Sequence, residues 1–377
     1  MKIALIHYSA PPVTGGVERV VGEQIRLLRN EGHYVILACF DGGGQGIADA
    51  FVPLSRDASR HDFSVYLGAA LAGVDCVLMH NVGTMPFAPE LTHALQTLAR
   101  SHSQSRWICW VHDLALGNPD YPSTSQVPEQ PYANGCPAWE YVAISPLRAS
   151  EVEERLRVPC EVVPNGVDPA ATLQLSPPVA ALAEHLGLWD ADAVLLNPSR
   201  LIPRKSLEGG IQVTARVRSD GYDLRYLVTG AADPHNPVHS DYARNLRALV
   251  DALDLKQRVV FLNDLLKVGP GELSDFYRIA DAVFLSGARE GFGLPVLEAG
   301  VFGKPIFCPD CPPMNNLPGT HSYPSEISIS GLAEWLIRQL KGREAILARR
   351  QILRTYRWPS IYRSHIAPLL SSPPAAR

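Results

Sequence analysis

The sequence predicts an α/β protein made of two doubly wound, Rossmann-like parallel-sheet domains. Short apolar segments alternate with helical segments along the chain, which is typical of a parallel sheet covered by helices on both faces. This alternation restarts after Pro164-Asn165-Gly166-Val167-Asp168, and 377 residues are more than one core usually holds. We expect the two domains to face each other across a cleft at the carboxyl ends of their strands.

The predicted strands are short, apolar and rich in β-branched or aromatic residues. In the first domain they are Ile3–Tyr8, Val35–Cys39, Val74–Met79, Trp107–Val111, Tyr141–Ile144 and Glu161–Val163. In the second domain, after a proline-rich passage, they are Ala193–Leu196, Arg225–Val228, Arg258–Phe261, Asp281–Leu285 and Pro305–Phe307. Helical stretches such as Val17–Asn30 and Pro89–Arg100 separate several of these strands.

Composition and charge limit the class of protein. A hydrophobic fraction of 46% with 19% charged residues is typical of a soluble globular chain, and no apolar run reaches the length of a membrane span. Residues 1–170 hold 11 Lys and Arg against 18 Asp and Glu, which argues against nucleic-acid binding and a polybasic membrane patch. Residues 171–377 hold 23 against 20, which favours an anionic ligand there. We expect a cytoplasmic protein without a signal peptide, and at most peripheral membrane association.

The segment with the clearest chemistry is Arg289-Glu290-Gly291-Phe292-Gly293-Leu294-Pro295-Val296-Leu297-Glu298-Ala299. An apolar strand precedes it and Pro295 suits a first helical turn, so we expect a strand, a glycine turn and a helix. Free amides at such a helix start bind phosphate or oxygen-rich ligands, while Glu290 and Glu298 offer acceptors for hydroxyls. Donors for an anion beside acceptors for hydroxyls indicate a nucleotide sugar.

This segment resembles the signature of the family-4 retaining glycosyltransferases, which have the two-domain GT-B architecture. The resemblance implies transfer of a hexosyl group from a nucleoside diphosphate sugar to a sugar or sugar-lipid acceptor, in polysaccharide or glycoconjugate biosynthesis. It implies that Glu290, Gly291, Phe292 and Gly293 contact the donor sugar and that Glu298 binds the ribose. A UDP-sugar is expected only because such donors are common.

Two further segments are similar to parts of this family. Pro164-Asn165-Gly166-Val167-Asp168 resembles its interdomain linker. The segment Tyr356–Tyr362 resembles its closing part, where the last helix returns to the first domain. The resemblance thus implies an acceptor-binding domain of residues 1–168 plus about 360–377, and a donor-binding domain of residues 169–359.

Two cations follow the predicted strand that ends at Leu196. Arg200 and Lys205 would stabilise the negative charge that develops on a leaving diphosphate, and their spacing matches the diphosphate-binding pair of the family. Gly15 and Gly16 open a helix after the first strand. They correspond to the glycine loop of the family and are assigned to the diphosphate as well.

His112 and Asp113 directly follow the fourth predicted strand. A histidine in this place can donate a hydrogen bond to a sugar hydroxyl or a phosphate oxygen. The family has a His-Asp pair beside the transferred sugar, so His112 is assigned to the donor sugar and, with Glu290, Arg200 and Lys205, to catalysis. Asp113 is assigned to the acceptor or to orientation of the histidine.

Three segments contain residue types that bind metals, but we expect no metal and no other cofactor. Asp190-Ala191-Asp192 precedes a strand instead of following one and is interpreted as a polar turn. Prolines indicate that Asp233–Asp241 is a loop, in which His235 and His239 share no helical register. Cys308-Pro309-Asp310-Cys311 lacks a second cysteine pair, and seven irregularly spaced cysteines predict no disulfide framework.

The chain departs from the family at two places. Asn263 stands where a glycine is usual, and Cys311–Gly319 replaces a glycine-rich turn with a Pro-Glu pair that precedes a further short strand. These changes leave the nucleobase and sugar contacts open. The alternatives are a nucleotide-sugar 2-epimerase, a phosphorylase using Lys205 or Lys304 for pyridoxal phosphate, and a non-catalytic nucleotide-sugar-binding protein of polysaccharide assembly.

Overall fold

The computed structural model describes residues 1–44, 46–102, 104–121, 131–230, 237–287 and 289–371. These residues divide into two compact units, which we call unit 1 and unit 2. Unit 1 consists of residues 1–167 and the C-terminal segment from Tyr356, and unit 2 is Asp168–Thr355. The sequence predicted that the first domain ends at residue 168 and resumes at about 360, which is one and four positions from the observed boundaries at 167 and 356. That unit 1 binds the acceptor and unit 2 the donor remains a prediction.

The strands of each unit form one parallel sheet. In the described part of unit 1 they are β1 (Lys2–Ile6), β2 (Tyr34–Cys39), β3 (Ala50–Pro53), β4 (Cys76–His80), β5 (Arg106–Val111), β6 (Glu140–Ala143) and β7 (Cys160–Val162). In that of unit 2 they are β8 (Ala193–Asn197), β9 (Leu224–Val228), β10 (Val259–Phe261), β11 (Ala282–Phe284), β12 (Ile306–Pro309) and β13 (Thr320–Tyr323).

Helices connect these strands along the chain. Those before the linker are α1 (Gly16–Asn30), α2 (Arg60–Ala70), α3 (Pro89–Ser101) and α4 (Pro146–Leu156). Unit 2 contains α5 (Pro169–Thr172), α6 (Pro177–His185), α7 (Leu207–Ser219), α8 (Pro237–Ala252), α9 (Pro270–Ile279), α10 (Leu294–Val301), α11 (Ile329–Lys341) and α12 (Glu344–Thr355). The chain then returns to unit 1 through α13 (Trp358–Ile361), a π-helical turn (Tyr362–Ile366) and α14 (Ala367–Ser371).

Both sheets have the doubly wound strand order. It is β3-β2-β1-β4-β5-β6-β7 in unit 1 and β10-β9-β8-β11-β12-β13 in unit 2. The predicted fold class, two Rossmann-like parallel-sheet domains, is therefore confirmed. The order reverses between β1 and β4 and between β8 and β11, and ligands of such sheets bind at the carboxyl ends of the strands at this point.

Two edge strands are missing from the sequence prediction. Strand β3 ends with a proline and pairs only with β2, and β13 has exposed residues His321 and Ser322 and pairs only with β12. An edge strand is covered less completely than a central one, so it carries a weaker apolar signal. The unusual segment Cys311–Gly319 thus still leads into a short strand.

The structure describes two of the segments with metal-binding residue types, Asp190–Asp192 and the C-terminal part of Asp233–Asp241. The carboxylate of Asp192 pairs with Arg354 at 2.5 Å and accepts the amide of Asp223 at 2.7 Å, so this predicted turn ties β8 to its surroundings. The predicted loop Asp233–Asp241 is wrong at its C-terminal end, because α8 begins at Pro237 and includes His239. Proline suits the first turn of a helix. His235 lies outside the described residues.

Apolar helices and the C-terminal segment cover the unit 1 sheet. Strand β5 is buried along its whole length, and its two tryptophans lie on opposite faces. Trp107 packs in the cluster beneath α2, α3 and α4, whereas Trp110 shares a cluster with Trp358. The side chain of Arg106 donates a hydrogen bond to the carbonyl of Leu369. These contacts explain why the chain end belongs to unit 1.

A buried ion pair holds the amino end of β11 in unit 2. The side chain of Asp281 is fully buried and accepts hydrogen bonds from Arg349 at 2.9 Å and Arg350 at 2.6 Å. It also accepts the amide of Val194 at 2.8 Å, which joins α12 to the centre of the sheet. Removing one member of such a cluster leaves buried charge without compensation.

We expect Asp281→Ala to lower the free energy of unfolding by about 3–5 kcal/mol, because two guanidiniums lose their shared carboxylate. Urea denaturation at pH 7 measures this loss. Asp251→Ala is the control, because Asp251 forms an exposed pair with Lys256 at 3.3 Å. Its expected cost is below about 0.5 kcal/mol. Equal costs for the two variants would show that burial does not strengthen this ion pair.

Candidate functional site

The loops that follow β8 and β11 touch each other at the point where the strand order of unit 2 reverses. The hydroxyl of Ser286 donates to the carbonyl of Lys205 at 3.2 Å. A Cβ on Gly287 would lie 2.7 Å from Cα of Lys205, so only glycine lets the two backbones approach this closely. The contact brings residues 205 and 290 together, although 85 positions separate them in the sequence.

Glu290 and Lys205 form an ion pair at this place. Nζ of Lys205 donates to Oε2 of Glu290, and only 13% and 14% of the two side chains are exposed. The guanidinium of Arg204 lies 4.0 Å from Oε1 of the same carboxylate. The amide of Gly291 donates to Oε1 at 3.2 Å. One carboxylate therefore stands among two cations and an amide.

Arg200 differs from Lys205 because its side chain is exposed to solvent. None of the carboxylates in the described part of the chain pairs with it. The backbone before it is held by buried hydrogen bonds: Ser199 donates to Asn197 at 2.5 Å, and Asn197 donates to Tyr226 at 2.7 Å. The guanidinium is therefore available to an anion.

The glycine turn leads into α10 as the sequence predicts. Gly293 adopts the left-handed conformation with φ of 96°, which favours glycine, and its would-be Cβ lies 3.0 Å from Cδ1 of Leu317. Gly291 and the ring of Phe292 are exposed. At the start of α10, Pro295 has no N–H and the amide of Val296 donates to the carbonyl of Gly293 at 2.9 Å, so the amide of Leu294 is left without a carbonyl partner in the helix. This amide at the positive end of the helix favours an anion or an oxygen-rich ligand.

Glu298 projects from α10 and is oriented by a tyrosine. The buried Tyr277 donates its hydroxyl to Oε2 of Glu298 at 2.7 Å, and its ring stacks on Phe302 with centroids 5.0 Å apart. Burial and the adjacent carboxylate raise the pKa of Tyr277, so its hydroxyl keeps its proton. Sequence reasoning missed Tyr277, because its apolar surroundings in α9 do not distinguish it from an ordinary core aromatic residue.

Three histidines meet in unit 1 where its strand order reverses. Nδ1 of His7 lies 2.7 Å from the carbonyl oxygen of His80, and Nδ1 of His80 lies 3.0 Å from Nε2 of His112. All three side chains are buried. His112 lies where the sequence predicts, at the end of β5. His80 ends β4 and carries the same signal, a polar residue closing a buried strand.

Burial keeps these histidines neutral. It lowers the pKa of His112 to about 3, with a smaller contribution from His7, and lowers the pKa of His7 and His80 as well. Nε2 of His80 is buried without a hydrogen-bond partner among the described residues. A bare ring nitrogen is tolerated there better than an orphaned N–H. The proton of His80 is therefore assigned to Nδ1, which donates to Nε2 of His112 and leaves the His112 proton on Nδ1.

Asn81 holds the backbone beside His112. Its side-chain oxygen accepts the amides of His112 at 2.8 Å and Asp113 at 3.0 Å. The carboxylate of Asp113 lies 3.1 Å from the guanidinium of Arg148 and accepts the amide of Leu114 at 2.9 Å. The ring contact that orients His112 comes from His80, so it is not Asp113 that plays this part. The assignment of Asp113 to the acceptor remains a prediction.

Gly15 and Gly16 lie at the start of α1, where they are expected. Gly15 caps the helix in an extended conformation and Gly16 is its first residue. The carboxylate of Glu18 accepts a hydrogen bond from Ser9 at 2.5 Å and lies 3.9 Å from Nε2 of His7. An acidic group thus stands near this helix start, and the assignment of the two glycines to a diphosphate remains a prediction.

Within the described ranges, no three His, Cys, Asp or Glu side chains converge as metal ligands. Cys308 and Cys311 are free thiols. No helix in the part of the chain that the structure describes has the length and apolar character needed to cross a bilayer. The expectations of metal-free chemistry and a cytoplasmic location remain predictions.

Comparisons with known proteins agree with the resemblance found in the sequence. The family model described as Glycosyltransferase Family 4 matches residues 14–171, and the one described as Glycosyl transferases group 1 matches residues 182–317. A D-inositol 3-phosphate glycosyltransferase of Kineococcus radiotolerans is 33% identical over 38% of this chain and 33% of its own length. The chain therefore matches about a third of this relative's length.

Two longer matches are more distant. The mannosylglucosylglycerate synthase of Thermotoga maritima is 21% identical over 81% of this chain and 80% of its own. The structure of Anabaena HepE in complex with UDP is 16% identical, covers 99% of this chain and 100% of its own, and has a TM-score of 0.40. The two family models together account for most of both units, so the chain belongs to the family-4 glycosyltransferases of the GT-B fold.

Proposed function

We propose that the protein is a retaining glycosyltransferase that moves a hexosyl group from a nucleoside diphosphate sugar to a carbohydrate or glycolipid acceptor without a metal ion. The observation that carries this proposal is the arrangement at the strand reversal of unit 2. There Lys205 and Glu290 form an ion pair, the glycine turn after Glu290 leads into α10, and Glu298 follows on that helix. A UDP-sugar is the donor to test first.

The proposed donor contacts follow from the chemistry of each group. Glu298 accepts hydrogen bonds from the ribose hydroxyls, because Tyr277 occupies one side of its Oε2 and holds the carboxylate in place. Glu290, Gly291, Phe292 and Gly293 contact the hexose. Arg200 and Lys205 bind the diphosphate, since a guanidinium and an ammonium pair well with phosphate oxygens.

The proposed reaction breaks the bond between the anomeric carbon and the diphosphate oxygen. The acceptor hydroxyl forms the new bond on the same face, and its proton passes to a leaving phosphate oxygen, so that configuration is retained. Negative charge grows on the diphosphate during this step. Arg200 and Lys205 lower the barrier because they stabilise that charge more in the transition state than in the substrate.

The lysine changes partners in this proposal. Its ammonium is paired with Glu290 in the structure. A bound diphosphate competes for the same ammonium, and Glu290 is then free to accept hydrogen bonds from sugar hydroxyls. The ion pair therefore keeps both groups in place before the donor arrives.

For unit 1 we propose that His112 acts as a neutral hydrogen-bond donor to a substrate oxygen through Nδ1. Its pKa of about 3 keeps it uncharged near neutral pH. His80 is a positioning residue, because its proton on Nδ1 determines which nitrogen of His112 donates. A sugar or polyol acceptor is consistent with the relatives, one of which is named for D-inositol 3-phosphate and another for mannosylglucosylglycerate.

Donor binding is tested by thermal shift with UDP in EDTA. We expect Glu298→Ala to weaken UDP binding by roughly 10–100-fold, because hydrogen bonds to a charged group are lost. Tyr277→Phe should weaken it by about threefold to tenfold through loss of orientation. Tyr222→Phe is the matched control, because its hydroxyl donates to the carbonyl of Asp192 away from this site. Stabilisation by UDP that requires a divalent metal would contradict the metal-free proposal.

The ion pair between Lys205 and Glu290 predicts that removing the cation and removing the carboxylate change the affinity for UDP in opposite directions. Lys205→Met should lower the transfer rate by about 10²–10³-fold and weaken UDP binding, because a cation is lost. Glu290→Gln should also lower the rate, yet strengthen UDP binding by up to about tenfold, since removing a nearby like charge is worth on the order of 1 kcal/mol. Radiolabelled transfer and calorimetry measure the two quantities. Weaker UDP binding in Glu290→Gln would be evidence against competition for Lys205.

The neutrality of His112 predicts how stability depends on pH. Its pKa is about 3 in the folded state, well below the usual 6.5, so the unfolded chain binds more protons between these values. Stability should therefore fall as the pH drops below 6.5, by up to about 1.4 kcal/mol per pH unit from this group. Urea denaturation at pH 7 and pH 5 should show a smaller pH effect in His112→Asn than in wild type. His61 is exposed, so His61→Gln should leave the pH effect of wild type unchanged. Equal pH effects in wild type and His112→Asn would refute the assignment of a neutral His112.

A further inference from the structure

A cavity of about 490 Å³ lies at the amino ends of β11, β12 and β13 in unit 2. Three of its lining residues directly precede these strands: Asp281, Pro305 and Gly319. In a parallel sheet the amino ends lie on the edge opposite the carboxyl ends. The cavity is therefore separate from the candidate site, whose residues follow the strands.

Cationic side chains dominate this cavity. Lys304, Arg343 and Arg349 line it together with His321, whereas Asp281 is its one lining carboxylate. That carboxylate is already shared, because Arg349 and the adjacent Arg350 both donate to it. The cavity thus carries a surplus of positive charge.

All three cations make hydrogen bonds to neutral groups, and Arg349 donates to the carbonyls of Ala280 at 2.9 Å and Arg278 at 2.7 Å. Arg343 donates to the carbonyl and the side-chain oxygen of Gln339 at 2.7 and 3.0 Å, and Nζ of Lys304 lies 3.3 Å from the carbonyl of Arg278. Burial lowers the pKa of Lys304 to about 8, and the positive charges of Arg349 and Arg350 add to this effect. An ammonium placed against two guanidiniums is stabilised when an anion binds among them.

The rest of the wall is small or apolar. Gly300, Gly303 and Gly319 expose backbone, while Pro305, Ile306 and Ile346 provide apolar surface. The volume lies within the range typical of small-molecule sites. A ligand with a compact anionic head and a small organic body matches these walls.

We propose that this cavity is a second ligand site, which binds the phosphate group of a small phosphomonoester. Lys304, Arg343 and Arg349 hold the phosphate oxygens, and the glycine and apolar wall accommodates the organic part. Lys304 serves as the inner contact and Arg343 as the outer one, because the ammonium of Lys304 is more buried than the guanidinium of Arg343. The proposal does not depend on the identity of the transferred sugar.

Calorimetric titration with glycerol 3-phosphate and with inorganic phosphate tests the site. Both should bind to wild type, and the ester more tightly, because only the ester uses the apolar wall. Lys304→Gln and Arg343→Gln should each lower the affinity by about tenfold or more, whereas Arg343→Lys should retain most of it. Either substitution alone tests the proposal if the other variant fails to fold. Inorganic phosphate binding as tightly as the ester would make this a site for free phosphate and overturn the phosphomonoester assignment.

The diphosphate groups of the candidate site are the competing explanation for such binding. Lys205→Met should leave the affinity for glycerol 3-phosphate within about twofold of wild type, and Lys304→Gln should leave the affinity for UDP within the same range. Loss of glycerol 3-phosphate binding in Lys205→Met, or its persistence in both Lys304→Gln and Arg343→Gln, would overturn the proposal. So would the absence of saturable binding to wild type.

Proton uptake provides an independent measurement. Sulfate does not titrate near pH 8, where Lys304 is half protonated. Bound sulfate should raise the pKa of Lys304, so the protein should take up as much as about half a proton on binding. The charged groups that face Lys304 are Asp281, Arg349 and Arg350, and the pKa of the nearby His321 is lowered by burial and by Arg343. Titrations in two buffers of different ionisation enthalpy should show this uptake in wild type and lose it in Lys304→Gln; uptake that survives in the variant would exclude Lys304 as the contact.

Discussion

The order of the strands in the second sheet is the constraint on which the candidate site depends. Because β8 and β11 are neighbours, the loops that follow them must meet, although strands β9 and β10 and three α-helices lie between them in sequence. The backbone contact at Gly287 and the ion pair between Lys205 and Glu290 are consequences of that order. A site of opposite charges is formed by topology, and its members hold each other in position without a ligand.

The polar groups of unit 1 at the reversal of its strand order differ from those of unit 2. The histidines at this place in unit 1 are kept neutral by burial, and the hydrogen bond from His80 to His112 determines which nitrogen of His112 carries the proton. A neutral donor contributes direction without adding charge. Arg200 and Lys205, the cations that we assign to the donor, lie in unit 2, and the half of the chain from residue 171 onward has the more positive charge balance.

Helix α10 links the two ligand sites that we propose in unit 2. Its first turn follows Gly293, Glu298 stands in its second turn, and Gly300 near its end lines the cationic cavity. The backbone turns back after it, because the amide of Lys304 donates to the carbonyl of Ala299 at 2.8 Å. A single helix thus contributes at one end to the candidate donor site and at the other to the anion cavity.

Local patterns in the sequence determined the alternation of strands and helices, the glycine turn before α10 and the places of Glu290, Glu298 and His112. Each of these depends on neighbours within one element, so the signal is present in consecutive residues. The edge strand β13, Thr-His-Ser-Tyr, was not predicted because it lacks an apolar pattern, and β3 was not predicted because it is only four residues long and ends with a proline. The first helical turn of α8 was not predicted, because the prolines of this segment indicated a loop.

Only the tertiary structure decided which groups meet. Lys205 and Glu290 are 85 residues apart, His80 and His112 are 32 apart, and Tyr277 and Glu298 are 21 apart. No local pattern encodes such pairs, because they depend on strand order and on the packing of helices against the sheet. The same holds for the cationic cavity, whose residues come from the end of α10, the starts of three strands, and α12 with the segment before it. The sequence thus determined which chemical groups are present, and the folded sheet determined their partners.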